Sequence, residues 1–135
     1  MNVVVKHQGN VKFEAEARGH RVVCDQPLSN KGEDQGMTPP EFLLASLGTC
    51  AAYYAVEYLR TRGLNEDGVE VRVDAEKAAA PARLGKFTIT VIAPEVEERH
   101  QQGLMRAVKS CLVHNTLLHA PSIEVALESR VAVPA

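Results

Sequence analysis

Two cysteines define the chemistry that this chain can carry. Cys50 lies in Gly48-Thr49-Cys50-Ala51-Ala52, where only small residues surround the thiol. That leaves room for a ligand or a second backbone, whereas an inert core position is more often filled by Leu or Val. Cys111 stands far along the chain in Lys109-Ser110-Cys111-Leu112-Val113-His114-Asn115-Thr116, after a cation and at the opening of a short helical pattern. Both features of the Cys111 context, the cation and the helix opening, favour a thiolate there. If their Cα atoms approach to roughly 4.4–6.8 Å, the two cysteines can form a disulfide. One can then attack a peroxide to give a sulfenic acid, and the other can condense with it. The plainer reading is that both are small buried hydrophobes, since free cysteine is among the most buried residue types.

Other reactive side chains form weaker constellations. His114 follows Cys111 by three residues and shares a helical face with it, but a metal site needs two more ligands and no second Cys/His pair supplies them. No metal or other cofactor is expected. Cys24 ends a strand pattern and reads as packing. His7, His20, His100 and His119 are scattered. No Gly-rich phosphate loop follows a strand, and no nucleophile-elbow sequence supports a Ser-His-Asp triad.

The elements that must position the two thiols are legible from pattern. At 135 residues the chain is expected to be one domain, 1–135, large enough to bury a core without staples. Val3–Val5, then Val11 to Ala17, then Val22-Val23 read as a three-stranded meander with turns at Gln8-Gly9-Asn10 and Arg18-Gly19. Asp25 to Gly36 is a long polar loop, a kind that is often functional. Thr38-Pro39-Pro40-Glu41 opens a helix with a capping box and a proline in the first turn, which runs to about Arg62 before Gly63 stops it. Its first half is apolar on every face, which predicts burial all round. A chain this short can hardly supply that cover alone, so a second copy is expected. Val69–Ala75 and Phe87–Ile92 read as a hairpin, Glu95 onward as a second helix, Cys111–Leu118 as a short turn, and Ile123, Val125 and Leu127 as a last strand. The order βββ-α-ββ-α-β is α+β, with antiparallel sheets around a buried central helix.

Composition narrows the partners. A net charge of −2 without a Lys/Arg cluster gives no footprint for nucleic acid or an anionic membrane surface. The weakly charged stretch 42–56 is short for a bilayer span, and the N-terminal residues do not read as a signal peptide. Three cysteines without short paired spacing are not a disulfide framework, and a cytoplasmic location is expected.

The run Gly36-Met37-Thr38-Pro39-Pro40-Glu41-Phe42-Leu43-Leu44-Ala45-Ser46-Leu47-Gly48-Thr49-Cys50 resembles the OsmC/Ohr family, in its broad OsmC-like branch. Asp25-Gln26-Pro27 before it and Cys111-Leu112-Val113-His114-Asn115-Thr116-Leu117 after it carry the same resemblance. The resemblance implies an intertwined α+β homodimer with two sites at its interface. It implies thiol-dependent reduction of small organic hydroperoxides, with Cys50 peroxidatic, Cys111 resolving and a dithiol or lipoyl-type reductant. Glu41 and Arg21 are the candidates for the family's thiolate-holding acid and arginine; Arg18 lies in the same part of the chain. In the peroxidase branches the acid directly follows the helix-opening proline, where this chain has Pro40, and Leu112 replaces a family proline. Nine residues along one helix separate Glu41 from Cys50 by roughly 13–14 Å and about half a revolution. Glu41 can therefore serve Cys50 only from a second subunit, or else it caps the helix. The alternative function is a non-catalytic dimeric binding or redox-sensing protein with an apolar pocket near Cys50.

Overall fold

The computed structural model describes residues 1–130. Strands β1 (Val4–His7), β2 (Phe13–Ala17) and β3 (His20–Cys24) form an antiparallel meander in that order. Its register places Val5, Ala15 and Val22 side by side, and likewise His7, Phe13 and Cys24. Successive residues of a strand point to opposite faces, so these two rows share one largely apolar face. The Val4–Glu16–Arg21 and Lys6–Glu14–Val23 rows make the other, charged face. No residue of the three strands is fully buried, and the sheet packs against no helix to any extent.

The link from β3 to the first helix is organised by one carboxylate. Asp25 is only 1% exposed. Its Oδ1 accepts from the backbone N–H of Gln26 at 2.8 Å, and its Oδ2 from Glu33 at 3.2 Å and Gln35 at 3.1 Å. A side chain at Gly32 would meet the Gln26 carbonyl, and one at Gly36 the Val23 carbonyl. Both glycines are required by close backbone approach. Burial opposes ionisation of Asp25, but the three N–H donors and Lys12 outweigh it and hold its carboxyl below the ordinary range.

Helix α1 runs Pro39–Thr61. The Thr38 hydroxyl accepts from the Glu41 N–H while Glu41 Oε1 accepts from the Thr38 N–H, the reciprocal capping box that the sequence predicts. Gly63 at φ 66° ends the helix in the left-handed region that glycine enters freely. Within the protomer α1 is fully buried along one stripe, Leu47, Ala51, Ala55 and Leu59, at four-residue spacing. Burial on every face is thus not reached within one chain: Ser46, Thr49 and Tyr53 are exposed. By length and composition α1 could cross a membrane, but here it is the helix around which the core packs.

Strands β4 (Glu70–Ala78) and β5 (Arg83–Ile92) pair antiparallel, matching Val71 with Val91, Val73 with Ile89 and Ala75 with Phe87. These apolar pairs form the face turned to α1. A register irregularity between Glu76 and Lys77 lets the hairpin extend beyond its expected length. Helix α2 (Glu98–Lys109) lies along α1, and α3 (Leu112–Leu118) follows directly. The expected start of α2 at Glu95 is corrected to Glu98: Glu95 takes a positive φ of 63°, which ends the turn after Pro94 before the helix can begin. Ala51, Ala55, Leu59, Leu104 and Val108 form the buried core, with Val71, Ile89 and Val91 packed against them.

The strand expected over Ile123–Leu127 is not formed in the protomer. Residues 120–130 belong to no sheet, and Ile123, Val125 and Leu127 are 81%, 93% and 91% exposed. A strand exists only against a neighbour, and the described residues offer the segment none.

Candidate functional site

The sequence brings its two distant thiols together by helix packing. Alanines at 51 and 55 let α2 lie close to α1, and Leu104 and Val108 fill the contact. Gly103 helps, because a side chain there would collide with the Tyr58 ring. The chain leaves α2 at Ser110, and Cys111 becomes the N-cap residue of α3. This delivers Cys111 to the middle of α1, where its thiol lies near enough to that of Cys50 to feel it. Cys111 Sγ also accepts the His114 backbone N–H at 3.4 Å.

The two thiols differ in environment. Cys111 is completely buried, whereas Cys50 is half-buried. Burial pushes the Cys111 thiol up, the Cys50 thiol beside it adds to this, and the backbone N–H groups of His114 and Val113 offset only part. Cys111 is therefore held as a thiol at neutral pH, and Cys50 is the one a solute can reach. Both are free, as is Cys24, whose thiol is pushed up by burial and then by the neighbouring Asp25 charge. Cys24 closes β3 in a backbone bridge to Met37.

The other two candidate residues are occupied elsewhere within the protomer. Glu41 accepts from the Thr38 hydroxyl at 2.8 Å as well as from its N–H, and these donors hold its carboxyl below the ordinary range. Arg21 lies on the charged face of the meander, with Nε 3.4 Å from Glu16 and 3.8 Å from Glu14. The structure thus joins Cys50 to Cys111 and leaves Glu41 and Arg21 with partners of their own. Asp25, which shapes the loop leading into α1, is a residue that sequence reasoning did not single out. Its signal is an acid at a strand end followed by Gln-Pro and a loop with two glycines.

An apolar groove of about 440 Å³ lies beside the thiols, lined by Leu47, Leu84, Phe87, Ile89, Leu117 and Leu118. It begins at Leu47, one turn before Cys50, and at His114, one turn after Cys111; Lys86 stands at its rim.

Fold and site together define an α+β protein with a paired-thiol site on its central helix. The chain belongs to the family of OsmC-like proteins, whose model matches residues 32–126. Solved structures share the fold. A Psychrobacter arcticus protein, provisionally named for an osmotic stress induced and detoxification response, superposes with a TM-score of 0.78 at 21% identity, covering 86% of this chain and 87% of that one. An OsmC-like protein of Mycoplasma pneumoniae gives 0.65 at 17%, covering 88% and 86%. The Legionella pneumophila organic hydroperoxide resistance protein OsmC gives 0.61 at 14%, covering 88% and 90%. No curated protein sequence matches the chain.

Proposed function

We propose that this protein is a thiol-dependent peroxidase that reduces organic hydroperoxides through Cys50 and Cys111. The observation that carries the reading is the fully buried Cys111 thiol lying close enough to the more accessible thiol of Cys50 for the two to influence one another. Family membership and the name of the Legionella relative support it. Cys50, the accessible thiol, attacks the terminal peroxide oxygen: an S–O bond forms, the O–O bond breaks, and the alcohol leaves with a proton. Cys111 then attacks the sulfenic sulfur; an S–S bond forms, the S–O bond breaks, and water departs. A dithiol or lipoyl-type reductant returns two electrons and two protons and leaves as its own disulfide.

The working unit in this reading is a homodimer in the cytoplasm. Support comes from the apolar face of the meander, which no element among the described residues covers, and from the exposed flanks of α1. Glu41, about 13–14 Å along α1 from Cys50 of its own chain, can serve that thiolate only from a second subunit, and Arg21 would have to leave Glu14 and Glu16 to do so.

The test is mass spectrometry after one equivalent of cumene hydroperoxide. Loss of two hydrogens, mapped to a Cys50–Cys111 disulfide and absent in Cys50→Ser, is the expected result; two persisting free thiols overturn the proposal. The second reading, a dimeric binding or redox-sensing module, is favoured by one feature: within the protomer Glu41 is engaged with Thr38 and Arg21 with Glu14 and Glu16, away from the thiols. Steady-state peroxide consumption with a lipoyl reductant, abolished by Cys50→Ser, eliminates it.

A further inference from the structure

Helices α1 and α2 pack against one another and leave a groove along their seam. Tyr54, Tyr58 and Arg62 line it from the α1 side, and Arg106 and the C-cap residue Ser110 from the α2 side. Gly103 lies at its floor and admits the Tyr58 ring, which a side chain there would strike. The volume, about 370 Å³, is that of a small-molecule site.

Charge in this groove goes uncancelled. Arg62 and Arg106 are exposed, and none of the ion pairs among the described residues uses either. Lys109, which shares a neighbouring surface groove with Arg106, enters none of them either. The one acid lining the groove, Glu57, lies 3.5 Å from Arg60 of its own helix. Cations in a last turn commonly offset a helix dipole, but each helix end carries only about half a negative charge. Two helix ends set against Arg62, Arg106 and Lys109 leave a surplus of about two positive charges.

Arg62 is also held in place before any ligand arrives. Its guanidinium carbon is 3.7 Å from the Tyr58 ring centroid, and its Nη1 donates to the Tyr58 carbonyl at 3.2 Å and to the Thr61 hydroxyl at 3.3 Å. That uses one nitrogen of the fork and leaves the other donors free. The hydroxyls of Thr61 and Ser110 donate to carbonyls of their own helices, so the arginines are the charged donors that remain.

We propose that this groove is a binding site for a phosphate monoester carrying an aromatic ring. Guanidinium forks take phosphate oxygens two at a time, and two arginines match the charge of nearly −2 that a monoester bears at neutral pH. Tyr54 and the guanidinium plane of Arg62 give the ring a surface to stack on, which a bare phosphate ion does not use. Arg106 reads the charge from α2, and Arg62 reads it from α1. The site goes beyond the peroxidase reading and does not depend on it, because neither cysteine lines the groove.

The experiment titrates the full-length, reduced protein with phenyl phosphate, phenol and inorganic phosphate, following the ring resonances of Tyr54 and Tyr58. Phenyl phosphate should bind saturably and more tightly than either of its halves. Arg106→Gln should weaken it about fivefold, the upper end for an exposed charge pair, and added salt should weaken it too. Arg99→Gln takes the same charge from α2 outside the groove, where Arg99 pairs with Glu97, and should leave the affinity unchanged. Phenol or inorganic phosphate binding as tightly as phenyl phosphate overturns the proposal. So does full affinity in Arg106→Gln, or an equal loss in Arg99→Gln, which assigns the effect to overall charge. None of these outcomes bears on the thiols, whose peroxide test stands apart.

Discussion

The two sheets of this molecule are finished to different degrees. The hairpin β4–β5 turns its apolar pairs onto α1 and, with α2, encloses Leu59, Ala55 and Ala51 completely. The β1–β3 meander has a comparable apolar face, with Val5, Val22 and Phe13 on it, yet these are 60%, 50% and 37% exposed. Both are antiparallel and both alternate in character. The difference lies in what covers them: one has a helix from its own chain, the other has none. The hairpin side is a finished interior, and the meander side is an apolar face that no element among the described residues covers.

Mutations separate the halves. Leu59→Ala should show the largest effect, a loss of about 2–5 kcal/mol in urea unfolding, because the space around a fully buried leucine relaxes only in part. A loss under 1 kcal/mol would mean that the hairpin side is not the structural core. Val22→Asp is the mirror experiment. If a second copy covers the meander, a carboxylate placed there costs on the order of 3 kcal/mol and weakens self-association by on the order of a hundredfold in sedimentation equilibrium. Unchanged sedimentation would show that the face stays in water.

Thr38→Ala removes the hydroxyl of the capping box and should cost about 1 kcal/mol. It acts on the hinge between the halves and should leave the oligomeric state unchanged. The smallest effect is confined to acid. The Asp25 carboxyl is depressed in the folded chain, so its contribution is present above the ordinary carboxylate range and is lost as pH falls through its lowered value. Asp25→Asn should flatten that acid limb of stability, followed by circular dichroism, and an unaltered limb would assign it to other groups.

What could be read in advance followed from the range of the interactions. The capping box, the Gly63 stop and the alternation of Val71, Val73 and Ala75 are local, and the sequence displays them directly. The meeting of Cys50 and Cys111 is not local. The small residues around the first, the helix-opening context of the second and the family resemblance of both runs pointed to it, and packing of α2 on Ala51 and Ala55 accomplishes it. Asp25 left little trace, because a carboxylate that gathers three backbone N–H groups from eight to ten residues away and next door creates no periodic pattern. The start of α2 shifted because one residue, Glu95, adopts a left-handed turn. Ile123, Val125 and Leu127 show a strand's alternation but lack a strand's partner, which no sequence of a single chain can reveal.

The meander has a consequence for the lone polypeptide. β1 is one of its two edge strands, and Val4 and Val5 within it, with Val3 just before, stand exposed in succession. Unpaired backbone groups beside contiguous valines form a template for adventitious strand addition, with Lys6 as the adjacent gatekeeping charge. Chains left unpaired along this edge should therefore be lost to precipitation sooner than to unfolding.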